Sequence, residues 1–163
     1  MLEIVCHIVL ALLLIIAFVQ DWKYRAISWV VFPLLLTVAG FIFWQADLSK
    51  LTLVFNLVFL IIVIGTLFLY VSFKRGKLSN IFKADLGLGD VLFLIAITPL
   101  FMDRNFILFF ITGMIVSGLV HLAIAGGKKN VKIPLAGYLA IYIIGLKSFG
   151  FVSNTDLFYT AIL

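Results

Sequence analysis

The chain has 163 residues, of which 65% are hydrophobic; its mean hydropathy is +1.30 and its formal net charge is +5. A water-soluble fold of this length leaves much of its surface in solvent and cannot hide that much apolar side chain, so a soluble domain is excluded and an integral membrane protein is expected. The basic residues fall between apolar runs, which makes them topology determinants rather than a nucleic-acid surface. The single cysteine, Cys6, leaves no internal disulfide and no cysteine-built zinc site.

Six apolar runs predict an all-α polytopic bundle of about six transmembrane helices, forming one domain over residues 1–163. The first covers 2–20. It carries Glu3 and no preceding Lys or Arg, so it reads as a membrane helix rather than a cleaved signal. The second covers 28–46, with Pro33 near its start, and the third covers 51–73. The fourth, 86–102, and the sixth, 133–146 with an extension available to 152, are short for a bilayer core of about 30 Å. Tilt, burial or local thinning must help them. The fifth covers 105–125. The runs are continuously apolar rather than alternating, which favours helices over strands. Asn56, inside the third run, is expected to make an interhelical hydrogen bond.

Loop charge gives the orientation. Nine of the twelve Lys and Arg residues lie in the first, third and fifth loops: Lys23 and Arg25; Lys74, Arg75, Lys77 and Lys83; and Lys128, Lys129 and Lys132. The positive-inside rule places these loops in the cytoplasm and both termini outside. Asp21, Asp85 and Asp90 then fall on the inner side, each bordering an apolar run.

Asp21 closes the first run. Asp90 lies about one turn inside the fourth, roughly 6 Å at 1.5 Å per residue. An ionisable side chain at that depth is costly and marks a functional site, although a helix N-terminus also favours an interfacial aspartate. Two close carboxylates do not both ionise cheaply, so one holds a proton while its partner stays charged. Such a pair can draw a proton from water and hydrogen-bond a scissile carbonyl, without metal or organic cofactor. Gly87 and Gly89, just before Asp90, supply bare backbone where an extended peptide needs room. Asp85 is a weaker partner for Asp90, because five positions along one segment fit one helical face poorly; it reads as a loop acid that attracts a basic peptide. His7 and His121 lie near the ends of the first and fifth runs without convergent partners, so no metal site is expected.

The segment "GLGD", residues 87–90, matches the G-x-G-D motif of membrane aspartic peptidases. Asp21 followed six residues later by Ile27 resembles the first-aspartate segment of type IV prepilin peptidases and their archaeal preflagellin relatives. The stretch "KIPLAGYLA", residues 132–140, resembles that family's late I-P-F-G-P-F-L segment, and it is this likeness that singles out Pro134. The resemblance covers nearly the whole chain. It implies an endopeptidase of a bacterial or archaeal cytoplasmic membrane that cleaves the leader from prepilin-like or pseudopilin-like substrates at the cytoplasmic face. Asp21 and Asp90 would be its catalytic pair, with Gly87 and Gly89 shaping the loop.

The chain departs from this pattern at several positions. Ser28 and Trp29 stand where the family often has Pro-Asn, Leu92 where it often has lysine, and Gly137 at the second proline of the late segment. The first loop is too short for the cysteine-bearing insert linked to N-methylation in many bacterial members, so a compact form without methyltransferase activity is expected. Two other classes of function fit the same features: a non-catalytic membrane scaffold or assembly subunit with this fold, and a small transporter using Asp21 or Asp90 as a proton or cation site. The oligomeric state is not legible.

Overall fold

A computed structural model describes residues 2–75, 87–125, 133–153, 155 and 157–159. The described residues form six helices and no strand: α1 (Leu2–Tyr24), α2 (Val31–Gln45), α3 (Lys50–Arg75), α4 (Leu88–Ile97), α5 (Asp103–Ala125) and α6 (Leu135–Ser153). The chain is an all-α membrane bundle, in which α1, α3, α5 and α6 are long and apolar enough to cross a bilayer.

The remaining two helices are short. Helix α4 has ten residues, extended by a 3₁₀ turn over Thr98–Leu100 that contains Pro99. Proline removes an amide donor, which fits the tightening of the helix there. Burial compensates for the length: Phe93, Ala96, Ile97 and the whole 3₁₀ turn are enclosed by protein rather than lipid. Helix α2 has only 15 residues, shorter than its apolar run, because Ser28 to Val30 form the turn that enters it. Helix α6 has 19 residues and is a full-length span.

Asn56 on α3 behaves as its position predicts. It is 1% exposed, and its Nδ2 donates to the carbonyls of Thr98 at 3.1 Å and Phe101 at 3.0 Å. These carbonyls lie at the end of α4, where helical partners run out. One amide side chain therefore pins the far end of α4 to α3.

Helix α1 packs most extensively on α6 and then on α2, while α4 lies among α2, α6 and α3. Leu10, Leu14, Ala17, Leu35, Ala39, Phe93, Ile97, Leu139, Ala140 and Ile143 meet in the core. Ala17, Ala39 and Ala140 are fully enclosed. Small side chains of this kind let helix backbones approach closely, which matters where lipid removes the hydrophobic drive between helices. The large apolar side chains left outside, such as Ile61, Phe73 and Phe151, form the lipid-facing surface. Trp22, Tyr24 and Trp29 are exposed at the end of the bundle where α1 finishes, and Trp44 is exposed where α2 finishes, as in the aromatic belts of membrane interfaces.

Candidate active site

Asp21 lies in the last turn of α1. That helix is closed by Arg25 in the left-handed conformation, φ 55°, whose N–H donates to the Asp21 carbonyl at 3.0 Å. This is the single-bond form of a left-handed helix cap, and it fixes the Asp21 peptide. The loop beyond is closed by a second bond, from the Ser28 N–H to Gln20 Oε1 at 2.7 Å. The Asp21 side chain turns inward and is 7% exposed.

Asp90 lies in the first turn of α4, with Gly87 at the N-cap. The Asp90 N–H donates to the Gly87 carbonyl at 3.0 Å, and the Gly87 N–H donates back toward the Asp90 carboxylate. This reciprocal pair resembles half of a capping box, with the acid three residues beyond the cap. A Cβ at Gly87 would lie 2.9 Å from Asp90 Oδ2, so only glycine leaves that oxygen in place. Gly87 has φ −67°, an ordinary value, so clearance rather than backbone freedom explains it. Gly89 is different: an added Cβ there would make only an ordinary 3.8 Å contact with Phe32.

The third element is the start of α6. Pro134 precedes the helix, and its carbonyl accepts from the Tyr138 N–H at 3.1 Å. Pro134 thus starts the helix rather than kinking it. The next free amides point at the two acids: the Ala136 N–H donates to Asp90 Oδ1 at 3.0 Å, and the Gly137 N–H to Asp21 Oδ2 at 2.7 Å. These donors have no partner within their own helix, and the positive end of the helix dipole favours anions there. Anchorage on consecutive amides brings the two carboxylates to one helix start, and Arg25 adds a positive field at Asp21.

The structure therefore brings together Asp21, Asp90, Gly87, Gly89 and the Pro134 segment. Asp85 lies outside the described residues. Ala136, Gly137, Gln20 and Arg25 join the site without having been singled out as parts of it. Their contributions are a pair of main-chain donors, a loop-closing acceptor and a field, none of which has a strong residue-type signature. Around them, Phe18, Trp22, Tyr138 and His121 form a run of ring contacts with centroids 5.9, 6.0 and 6.4 Å apart. These rings tie α1, α6 and α5 together beside the acids.

Each carboxylate oxygen has two lone-pair sites, so the bonds from the main chain leave capacity for water or a substrate group. Carboxyl groups with spare acceptor sites can exchange protons with water. Among the described residues, no group of three or more His, Cys, Asp or Glu side chains is placed to hold a metal ion. Comparisons with family models, with characterised proteins and with solved structures return no match.

Proposed function

We infer that the chain is a membrane aspartic endopeptidase that removes the leader from type IV prepilin-like precursors at the cytoplasmic face. The observation that carries this reading is the convergence of three distant segments. Asp21 and Asp90 are anchored on consecutive amides at the start of α6, the segment that resembles the family's late motif.

In the proposed reaction the charged carboxylate takes a proton from water while the oxygen of that water bonds to the scissile carbonyl carbon. The protonated partner hydrogen-bonds the carbonyl oxygen and donates its proton as the tetrahedral intermediate forms. On collapse one hydroxyl of the intermediate returns a proton to the partner carboxylate as the carbonyl re-forms, the carbon–nitrogen bond breaks, and the proton taken from water passes to the leaving amine. Bare backbone at Gly89 gives an extended substrate access to the pair, while Gly87 leaves room for the Asp90 carboxylate. The basic loops favour the cytoplasmic side for this chemistry, where a basic leader would remain.

The test is co-expression of the full chain with a prepilin-like precursor, with leader removal followed by gel and by mass spectrometry. Cleavage that disappears in Asp21→Asn and in Asp90→Asn supports the reading. Binding of the precursor without any processing would return the scaffold reading.

A further inference from the structure

The last turn of α1 is held from two sides by main-chain donors. Ser28 donates its N–H to Gln20 Oε1 at 2.7 Å, and Gly137 donates its N–H to Asp21 Oδ2, also at 2.7 Å. Gln20 and Asp21 are consecutive, so the two bonds brace adjoining residues.

We propose that Gly137 is a positioning residue for Asp21, supported by the Ser28–Gln20 bond. One amide holds the Asp21 carboxylate and the other holds the side chain of the residue before it. In this chain such a donor offsets the cost of burying Asp21. It is buried at the C-terminal end of its own helix, where the dipole opposes negative charge, and a buried carboxylate without donors is costly. The start of α6 meets that need with an amide and the favourable end of a dipole. Gly137 also sits close: an added Cβ would lie 3.1 Å from Asp21 Oδ2 and 3.3 Å from Asp21 Cβ, so Asp21 would have to give by a few tenths of an ångström. Ala136 does the same for Asp90 from the preceding peptide, so a single helical turn sets the register of both acids.

The predicted effect on turnover rests on the peptidase reading, whereas the bonds themselves do not, and the experiment separates the two. Gly137→Ala and Gly137→Pro both place a Cβ against Asp21, but only the proline deletes the donor. Its position in the first turn of α6 requires no intrahelical bond from that N–H. With a prepilin-like precursor, kcat of Gly137→Pro should be at least about tenfold below that of Gly137→Ala, with KM within about twofold. Equal kcat in the two variants would overturn the proposal.

The second arm uses no substrate and no proline variant. In the isotopically labelled full chain, in lipid nanodiscs, the Gly137 amide resonance should move in Asp21→Asn more than in Asp90→Asn. The Ala136 amide should show the opposite pattern. A Gly137 amide that ignores Asp21→Asn sinks the proposal whether or not the wild type cleaves anything. A wild type that cleaves no precursor, with the crossed amide pattern intact, removes the peptidase reading and leaves the brace standing.

Discussion

Asp21 and Asp90, 69 positions apart in the chain, accept hydrogen bonds from consecutive peptide groups of one helix. Neither side chain is replaceable by its amide if one must carry charge and the other must carry a transferable proton. Asp21→Asn and Asp90→Asn are each expected to lower precursor cleavage by roughly a thousandfold, within the span found for loss of general acid–base groups. The asparagine oxygen still accepts a main-chain bond, so the unfolding transition in detergent should change little. A chelator should leave the wild-type rate unaltered. Full activity in either variant would remove that residue from the pair.

Gly87 and Gly89 are separated by one residue and face different surroundings. A methyl group on Gly87 would fall 2.9 Å from Asp90 Oδ2, inside van der Waals contact, whereas on Gly89 it would meet only Phe32 Cζ at 3.8 Å. Gly87→Ala must therefore displace the carboxylate, by less than the roughly 1 Å that costs about a hundredfold, so turnover should fall by about ten- to a hundredfold. Gly89→Ala should cost less than about tenfold, provided the substrate backbone does not pass directly over it. Initial rates for the two variants at saturating precursor give the comparison, and equal losses would contradict the distinct roles seen here.

Much of this arrangement is legible in the residues, because ionisable and amide groups inside apolar runs are costly and so stand out. Asp21, Asp90 and Asn56 are visible on that ground alone, and the structure places each at a helix contact. The donors that hold the acids leave no such trace. Ala136 and Gly137 act through the main chain, which every non-proline residue carries, so Gly137 reads only as a departure from a motif. Gly87 reads as freedom for a turn or room for a substrate, yet its φ of −67° needs no glycine; the crowding comes from Asp90, one helical turn along the same segment. The shortness of α2 is hidden for a similar reason. Trp29 and Val30 are apolar, so the entry turn looks like part of the span.

Orientation can be tested through two of the interhelical connections that are described in full. Ser28 lies in the turn after α1, at the end that carries Asp21, and Ser49 lies just before α3, at the opposite end. In a Cys6→Ser background, Ser49→Cys should react with a membrane-impermeant maleimide added to intact cells. Ser28→Cys, flanked by Lys23 and Arg25, should react only after the membrane is opened. Gln20 accepts from the Ser28 main-chain N–H, so the substitution itself leaves that bond available. The reverse labelling pattern would put the acids outside and exclude cleavage on the cytoplasmic side.

Asn56 connects stability to the site through the length of α4. Its Nδ2 serves the Thr98 and Phe101 carbonyls, while Asp90 lies at the other end of the same element, about 12 Å away at 1.5 Å per residue. Asn56→Leu keeps the volume close but deletes both bonds and leaves two carbonyls in apolar surroundings. Measured interhelical side-chain bonds in membranes are worth about 0.6–2 kcal/mol, so the variant should lose about 1–2 kcal/mol in a denaturing-detergent titration. Asn56 does not touch the acids, and α4 is also gripped by α2 and α6. Cleavage should therefore fall by less than about tenfold while stability drops. A variant as stable as the wild type would show that packing alone fixes the end of α4; a stable variant with abolished cleavage would instead mean that Asn56 controls the seating of Asp90.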